Sequence, residues 1–174
     1  KTLIQQTYDR FLKIVPKENI FILTNESYIQ LVKEQLPDLN DSQILAEPIM
    51  RNTAPCIAYG SHKILKLNPE ASIVVAPSDH LIMDSEEFTR CIKKSLETAA
   101  AHDCLISLGI KPSRPDTGYG YIQYNTKKIG DDFFMVKTFT EKPNKELAKT
   151  FVQSGDFLWN AGIFVWSAKS VLKA

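Results

Sequence analysis

The sequence predicts an α/β protein: three α/β/α layers around a mostly parallel mixed sheet, with an antiparallel extension. Three features carry that expectation. From Lys1 to Ile110, short β-branched runs alternate with helical patterns, as repeated strand–helix–strand units do. Within that stretch, Ile73, Val74, Val75 and Ala76 are apolar without interruption, the pattern of a strand buried on both faces. After Ile110 the alternation stops, and two strand-like stretches, Tyr121 to Tyr124 and Phe133 to Thr140, flank a polar turn.

Taken in order, the first element is a helix over Lys1–Val15. Its apolar stripe is Ile4, Tyr8, Phe11, Leu12 and Val15, and Pro16 closes it. A buried strand is expected at Asn19–Thr24, a helix at Glu26–Leu36 ended by Pro37, and a short strand at Gln43–Ala46. Thr53 is read as the cap of a helix with Pro55 in its first turn. Beyond the central run, Asp84 or Ser85 opens a helix with Glu86 and Glu87 in its first turn, where negative charge suits the helix dipole. Its inner face is Phe88, Ile92, Leu96 and Ala99, and Cys104–Ile110 is the next strand. Lys111–Gly120 reads as a loop. Asn144–Ser154 is a helix ended by Gly155 in the left-handed region, Ile163–Trp166 a last strand, and Ser167 or Ser170 the start of another helix.

With 174 residues the chain is large enough for one proper core, and a single domain over 1–174 is the expectation. Twenty-one Lys and Arg against 20 Asp and Glu leave a net charge of +1, which argues against nucleic-acid coating and anionic-membrane binding. An acidic ligand would have to be held locally. Cys56, Cys91 and Cys104 are odd in number and lack metal-ligand spacing, which points to a reducing, cytoplasmic compartment. No apolar run approaches the ~20 residues that span a bilayer, and no export signal is visible.

Five stretches carry chemistry. Pro77 stops the central strand's ladder and leaves Ser78, Asp79 and His80 just past its carboxyl end, where open α/β sheets bind ligands. A carboxylate and an imidazole there can hold a divalent metal or a phosphate ester; helix capping by Asp79 and a loop role for His80 are the alternative. In Glu47–Pro55, Asn52, Thr53 and the free amides of a helix start form a donor-rich edge suited to an anionic or heterocyclic ligand, or simply a cap. Gly118 and Gly120 in Thr117–Tyr121 allow main-chain amides to approach a ligand between tyrosine walls, one of them Tyr119, or merely lead into a hairpin. Glu141 and Lys142 project together from a strand end and suit a ligand bearing both hydroxyls and phosphate, or pair in solvent. Asn160 precedes a buried strand, where its amide needs a partner.

The stretches EPIMRNTAP, PSDH, TGYGYI, EKP and WNAGIF occur together and in this order, and from Glu47 to Phe164 the chain resembles the bacterial mannose-1-phosphate guanylyltransferases, members of the sugar-nucleotidyltransferase superfamily. The resemblance implies a Rossmann-like nucleotidyltransferase fold, with GTP and mannose 1-phosphate as substrates, GDP-mannose and pyrophosphate as products and Mg²⁺ as cofactor. It implies that Asp79 is the metal ligand and that Asp79 and Lys142 are the catalytic pair. Glu47, Arg51, Asn52, Thr53 and Ser78 would lie on the nucleotide side. His80, Gly118, Tyr119, Gly120, Glu141, Lys142 and Asn160 would contact the sugar phosphate. By the same resemblance, the sequence starts after the family's N-terminal strand and glycine- and arginine-rich loop, and stops before a second metal-binding aspartate. A homodimer is left open. So are a related enzyme using another base or sugar, a non-catalytic binding module on the same scaffold, and a C-terminal phosphomannose isomerase domain.

Overall fold

The computed structural model describes residues 1–47, 52–129 and 132–173. They form two compact units: Lys1–Ile106 together with the segment from Phe164 onward, and Ser107–Ile163.

In the first unit, α1 (Leu3–Phe11) starts behind Thr2, whose main-chain N–H donates to the Gln5 side chain at 3.0 Å. Regular helix ends earlier than the apolar stripe suggests, because Lys13, Ile14 and Val15 turn their amides onto the carbonyls of Arg10 and Phe11 ahead of Pro16. β1 (Ile22–Asn25) pairs in parallel with β2 (Ile44–Glu47), with Ile22 opposite Ile44 and Asn25 opposite Glu47. A parallel pair needs a crossover, and α2 (Ile29–Gln35) supplies it after a 3₁₀ turn over Glu26–Tyr28.

α3 (Thr53–Leu67) lays Ile57, Ile64 and Leu65 over Ile73 of β3 (Ser72–Val75), in a cluster that includes Trp166 and Ala168. β3 was expected to be buried on both faces. In fact Ile73 is buried while Val74 and Val75 are half-buried. Its strand partner among the described residues is the end of β7 (Phe157–Ser167), antiparallel, with Ile73 opposite Trp166. Pairing along one edge leaves the neighbouring side chains only partly covered.

Asp84 caps α4 (Ser85–Ala101), its Oδ1 accepting from the Glu87 N–H at 2.9 Å. The buried face of α4 is Phe88, Ile92, Ser95 and Ala99; Leu96 is half-buried, because Ser95 takes the inward place. α6 (Ala168–Lys173) begins where the Ser167 hydroxyl accepts from the Ser170 N–H at 3.0 Å.

The second unit is antiparallel. β5 (Tyr121–Ile129) pairs with β6 (Phe133–Thr140), Tyr121 opposite Thr140, and with β7, Tyr121 opposite Trp159. β4 (Leu105–Ile110), whose residues 107–110 belong to this unit, also pairs with β7. α5 (Lys145–Ser154) is capped by Asn144 Oδ1, which accepts from the Leu147 N–H at 2.9 Å, and ends at Gly155 with φ of 77°. Tyr121, Ala148, Phe151, Phe157 and Trp159 form the core of this unit, and the Phe151 and Phe157 rings stack with centroids 3.9 Å apart. β7 starts at Phe157 rather than Ile163, and its residues alternate between buried and half-buried as far as Val165.

The α/β class therefore stands, with parallel pairing in β1–β2 and antiparallel pairing in the strands that bracket the hairpin. Among the described residues no helix is long and apolar enough to cross a membrane.

Candidate functional site

The sequence-selected residues fall into two groups, one in each unit. In the first unit, Asp79 lies in the turn that follows β3, and its carboxylate is exposed. It does not cap α4, because Asp84 fills that place. Among the described residues Asp79 makes neither an ion pair nor a hydrogen bond, so its oxygens are available to a ligand. The residues on either side are tethered through their main chain. Thr7 Oγ1 donates to the Ser78 carbonyl at 3.2 Å, and Arg10 Nη2 donates to the His80 carbonyl at 3.2 Å.

Glu47, Asn52 and Thr53 stand at the junction of β2 and α3; Arg51 lies outside the described residues. Asn52, not Thr53, takes the N-cap position of α3. Its side chain caps nothing, so the capping role expected for Thr53 does not arise. Asn52 has φ 66° and ψ −169°, a backbone region that is nearly glycine-only, costs on the order of 1–3 kcal/mol and gathers at ligand sites. Glu47 has acquired a local partner, the Cys56 thiol in the first turn of α3. Burial, then the hydrogen bond to the Glu47 carboxylate, push that thiol up to about 12.

In the second unit, Gly120, Glu141, Lys142 and Asn160 come together. The Asn160 N–H donates to the Gly120 carbonyl at 2.8 Å, linking β7 to the residue just before β5. A Cβ on Gly120 would stand 3.0 Å from Glu141 Oε2 and 3.6 Å from Asn160 Cβ. A side chain there would crowd the Glu141 carboxylate, and φ is not in the left-handed region. Glu141 and Lys142 sit just past β6, with Lys142 Nζ 3.5 Å from Glu141 Oε1 and both side chains mostly exposed. Such a pair is worth about 0–1 kcal/mol, so exchanging it for a ligand contact costs little. Lys142 holds φ of 36°, unusual for a side-chain-bearing residue.

Asn160 has a defined polarity. Its Oδ1 accepts from the Gly162 main-chain N–H at 3.0 Å and from Ser107 Oγ at 3.3 Å. A main-chain amide can only donate, so the oxygen is committed inward and the NH₂ group is the donor left for a ligand.

Gly118 departs from expectation. Its N–H is engaged by Asp116 Oδ1 at 2.8 Å, so that amide is not free for a ligand. Asp116 organises this loop: Arg114 Nη2 donates to its Oδ2 at 2.7 Å, while the Tyr121 hydroxyl accepts from its N–H at 3.0 Å and donates to its carbonyl at 2.9 Å. The Gly118 amide first, with Arg114 adding to it, holds the Asp116 carboxyl below the usual carboxylate range. Tyr119 leans on Trp159 with ring centroids 5.1 Å apart, and the Arg114 guanidinium lies 5.3 Å from the Trp159 ring centre. Arg114, Asp116 and Ser107 were not singled out in the sequence, and neither were Thr7 and Arg10. The signal available for Asp116 was its place two residues before Gly118, the Asx-turn spacing.

Among the described residues no group of three or more His, Cys, Asp or Glu converges on a metal position. The first unit offers an exposed carboxylate at Asp79; the second offers a carboxylate, an ammonium and an amide donor on a glycine-cleared surface.

Open α/β sheets bind their ligands beyond the carboxyl ends of the strands, the place that Asp79 occupies after β3. Residues 1–174 match the family described as nucleotidyl transferase, and the chain belongs to that family. It is 36% identical over 175 residues to a mannose-1-phosphate guanylyltransferase of Salmonella montevideo, covering 97% of this chain and 36% of that one. It is 34% identical over 175 residues to the alginate biosynthesis protein AlgA of Pseudomonas syringae pv. tomato, covering 99% of this chain and 36% of the relative. A solved structure from Thermus thermophilus, described as a mannose-1-phosphate geranyltransferase, superposes with a TM-score of 0.89 at 27% identity, over 99% of this chain and 49% of that one. The chain thus spans about a third of the length of the curated relatives it matches.

Proposed function

We propose that residues 1–174 are the nucleotidyltransferase part of an enzyme that moves a guanylyl group from GTP to mannose 1-phosphate, giving GDP-mannose and pyrophosphate. A phosphate oxygen of mannose 1-phosphate attacks the α-phosphorus of GTP, and the bond from that phosphorus to the oxygen bridging the β-phosphate breaks. The electron pair leaves with pyrophosphate. No covalent enzyme intermediate is needed, so the protein's task is to align two anions and offset charge in the transition state.

The observation that carries the reading is the convergence of Gly120, Glu141 and Asn160 in the second unit, which suits a polyhydroxylated ligand: an acceptor from Glu141, a donor from Asn160 and room cleared by Gly120. In this reading Lys142 exchanges its weak contact with Glu141 for the sugar phosphate. Tyr119 forms a wall of the sugar side with Gly118 next to it in the chain, and His80 of the first unit is assigned to the same substrate. Asn52 and Thr53, with Glu47, Arg51 and Ser78, serve the nucleotide.

Asp79 is the proposed ligand for a divalent metal, Mg²⁺. The residues fit: Mg²⁺ is commonly held by one or two carboxylates plus substrate phosphates and waters, not by a full protein cage, and Asp79 presents an exposed carboxylate with no partner among the described residues. When bound, such an ion neutralises phosphate charge and polarises the reacting phosphorus.

The test compares GTP, ATP and UTP with mannose 1-phosphate in the intact protein, then repeats the best pair with Glu141→Ala. GDP-mannose as the main product, with Glu141→Ala raising the KM for the sugar phosphate and leaving that for GTP near wild type, is expected. Preference for another nucleotide, or an equal loss for both substrates, overturns the assignment.

A further inference from the structure

The turn after β3 is poorly anchored by its own chain. Pro77 has no N–H, Leu81 and Met83 are exposed, and among the described residues no main-chain hydrogen bond ties 76–83 to the rest of the first unit. Two side chains from α1 do that instead. Thr7 and Arg10, about 70 residues earlier in the chain, hold the carbonyls of Ser78 and His80, the residues immediately before and after Asp79.

Both anchors are buried, Thr7 8% and Arg10 7% exposed. Burying a guanidinium costs several kcal/mol unless it is paired, and among the described residues Arg10 has no carboxylate partner. It lies over the Phe88 ring, 5.4 Å from the centroid, and burial lowers its pKa. An apolar side chain would fill this place between α1 and α4 at lower cost. What an apolar side chain could not supply is a donor to the His80 carbonyl.

We propose that Thr7 and Arg10 are positioning residues that set the Asp79 carboxylate for a divalent cation, acting through the main chain on either side of it. The proposal rests on the reading of Asp79 given above. Neither residue touches substrate; together they fix the two peptide units between which the carboxylate is carried, so their loss lets it wander from its ligand-binding geometry. Removing an outer-shell support of a metal ligand typically weakens metal affinity by about 10–100-fold.

The experiment uses the intact protein with Mn²⁺ as the probe, in the presence of GTP, and reads the ternary complex from water-proton relaxation enhancement alongside thermal melting. The variants are Asp79→Asn, Thr7→Val, Arg10→Met and Arg10→Lys. Thr7→Val and Arg10→Met should each weaken Mn²⁺ binding about tenfold or more. Thr7→Val, being isosteric, should melt within about 4 °C of wild type. Arg10→Lys, which keeps one donor for the carbonyl, should recover much of the loss. Wild-type Mn²⁺ affinity in Thr7→Val and Arg10→Met, with Asp79→Asn impaired, overturns the positioning role alone. Wild-type affinity in Asp79→Asn removes Asp79 from the metal site, and the inference with it.

Discussion

Replacing Gly120 by alanine should separate stability from sugar use. The new Cβ would stand 3.0 Å from Glu141 Oε2, with its next neighbours at 3.6 Å and 3.7 Å, which are ordinary contacts. Only the Glu141 carboxylate has to move, by a few tenths of an ångström, and as a side chain 74% exposed it can. The backbone at Gly120 is not in the left-handed region, so alanine should fit there without strain. Restricting the unfolded chain then stabilises by about 0.4–1 kcal/mol, offset in part by the displaced carboxylate. The melting temperature should stay level or rise by up to about 4 °C. Binding behaves differently. The added methyl stands in the space that Gly120 clears and nudges the carboxylate, weakening a charge-assisted hydrogen bond worth about 1.5–3 kcal/mol, so kcat/KM for mannose 1-phosphate should fall by up to roughly 10-fold. The KM for GTP should hold. Steady-state kinetics in each substrate and a thermal melt decide it. Undiminished sugar use would mean that Glu141 does not contact the sugar, and a melting drop beyond about 8 °C would mean that the Cβ meets something rigid.

Gly109→Ala should behave in the opposite way, because its Cβ would come 2.5 Å from Leu158 Cδ1 and 2.8 Å from Leu158 Cβ. Overpacking of this kind costs about 1–3 kcal/mol, and a urea midpoint equal to wild type would contradict it. Asp116 gives a pH signature: its folded carboxyl titrates below the unfolded value, so its contribution is complete above about pH 4 and is lost as pH falls through the depressed folded value. Carbon-detected NMR titration should place that carboxyl below its ordinary range, and an ordinary midpoint would show that the Gly118 and Arg114 contacts do not persist in solution. Cys56, with its thiol pushed up to about 12, should react with iodoacetamide at pH 8 far more slowly than a free thiol. Glu47→Gln should quicken it, and an unchanged rate would leave burial as the whole cause.

Where chain-local chemistry decides a feature, the sequence foretold it. Asp84, one of the two starts expected for α4, caps that helix, and Gly155 ends α5 in the left-handed region as expected. Glu141, Gly120 and Asn160 could be singled out because the sequence sets each beside a strand-like run, and they do meet, although Asn160 lies within β7 and not before it. The misses have separate causes. Apolar periodicity assigns polar residues to water, so the stripe expected for α1 does not include Arg10 and Thr7, although both are buried. Burial of a guanidinium depends on Phe88 and His80, which lie about 70 residues or more away, and no local pattern carries that information. Thr53 was read as a cap because threonine favours that position, yet the backbone at Asn52 had already turned out of reach. The early half of β7 was missed because Asn160 and Gly162 look like loop residues, whereas in a strand with one face buried they occupy the other face.

That last arrangement divides β7 by parity. Phe157, Trp159, Ala161 and Ile163 seal the interior, while Leu158, Asn160 and Gly162 occupy the alternate places. Exchanging one residue for another at Leu158 or Asn160 can retune what the surface recognises and leave the core as it is, whereas Gly162, with φ of 65°, is held to glycine. Adding or deleting a single residue cannot, because the whole row would change sides and drive an amide inward while a tryptophan surfaced. Along this strand, recognition can drift by substitution, but not by insertion or deletion.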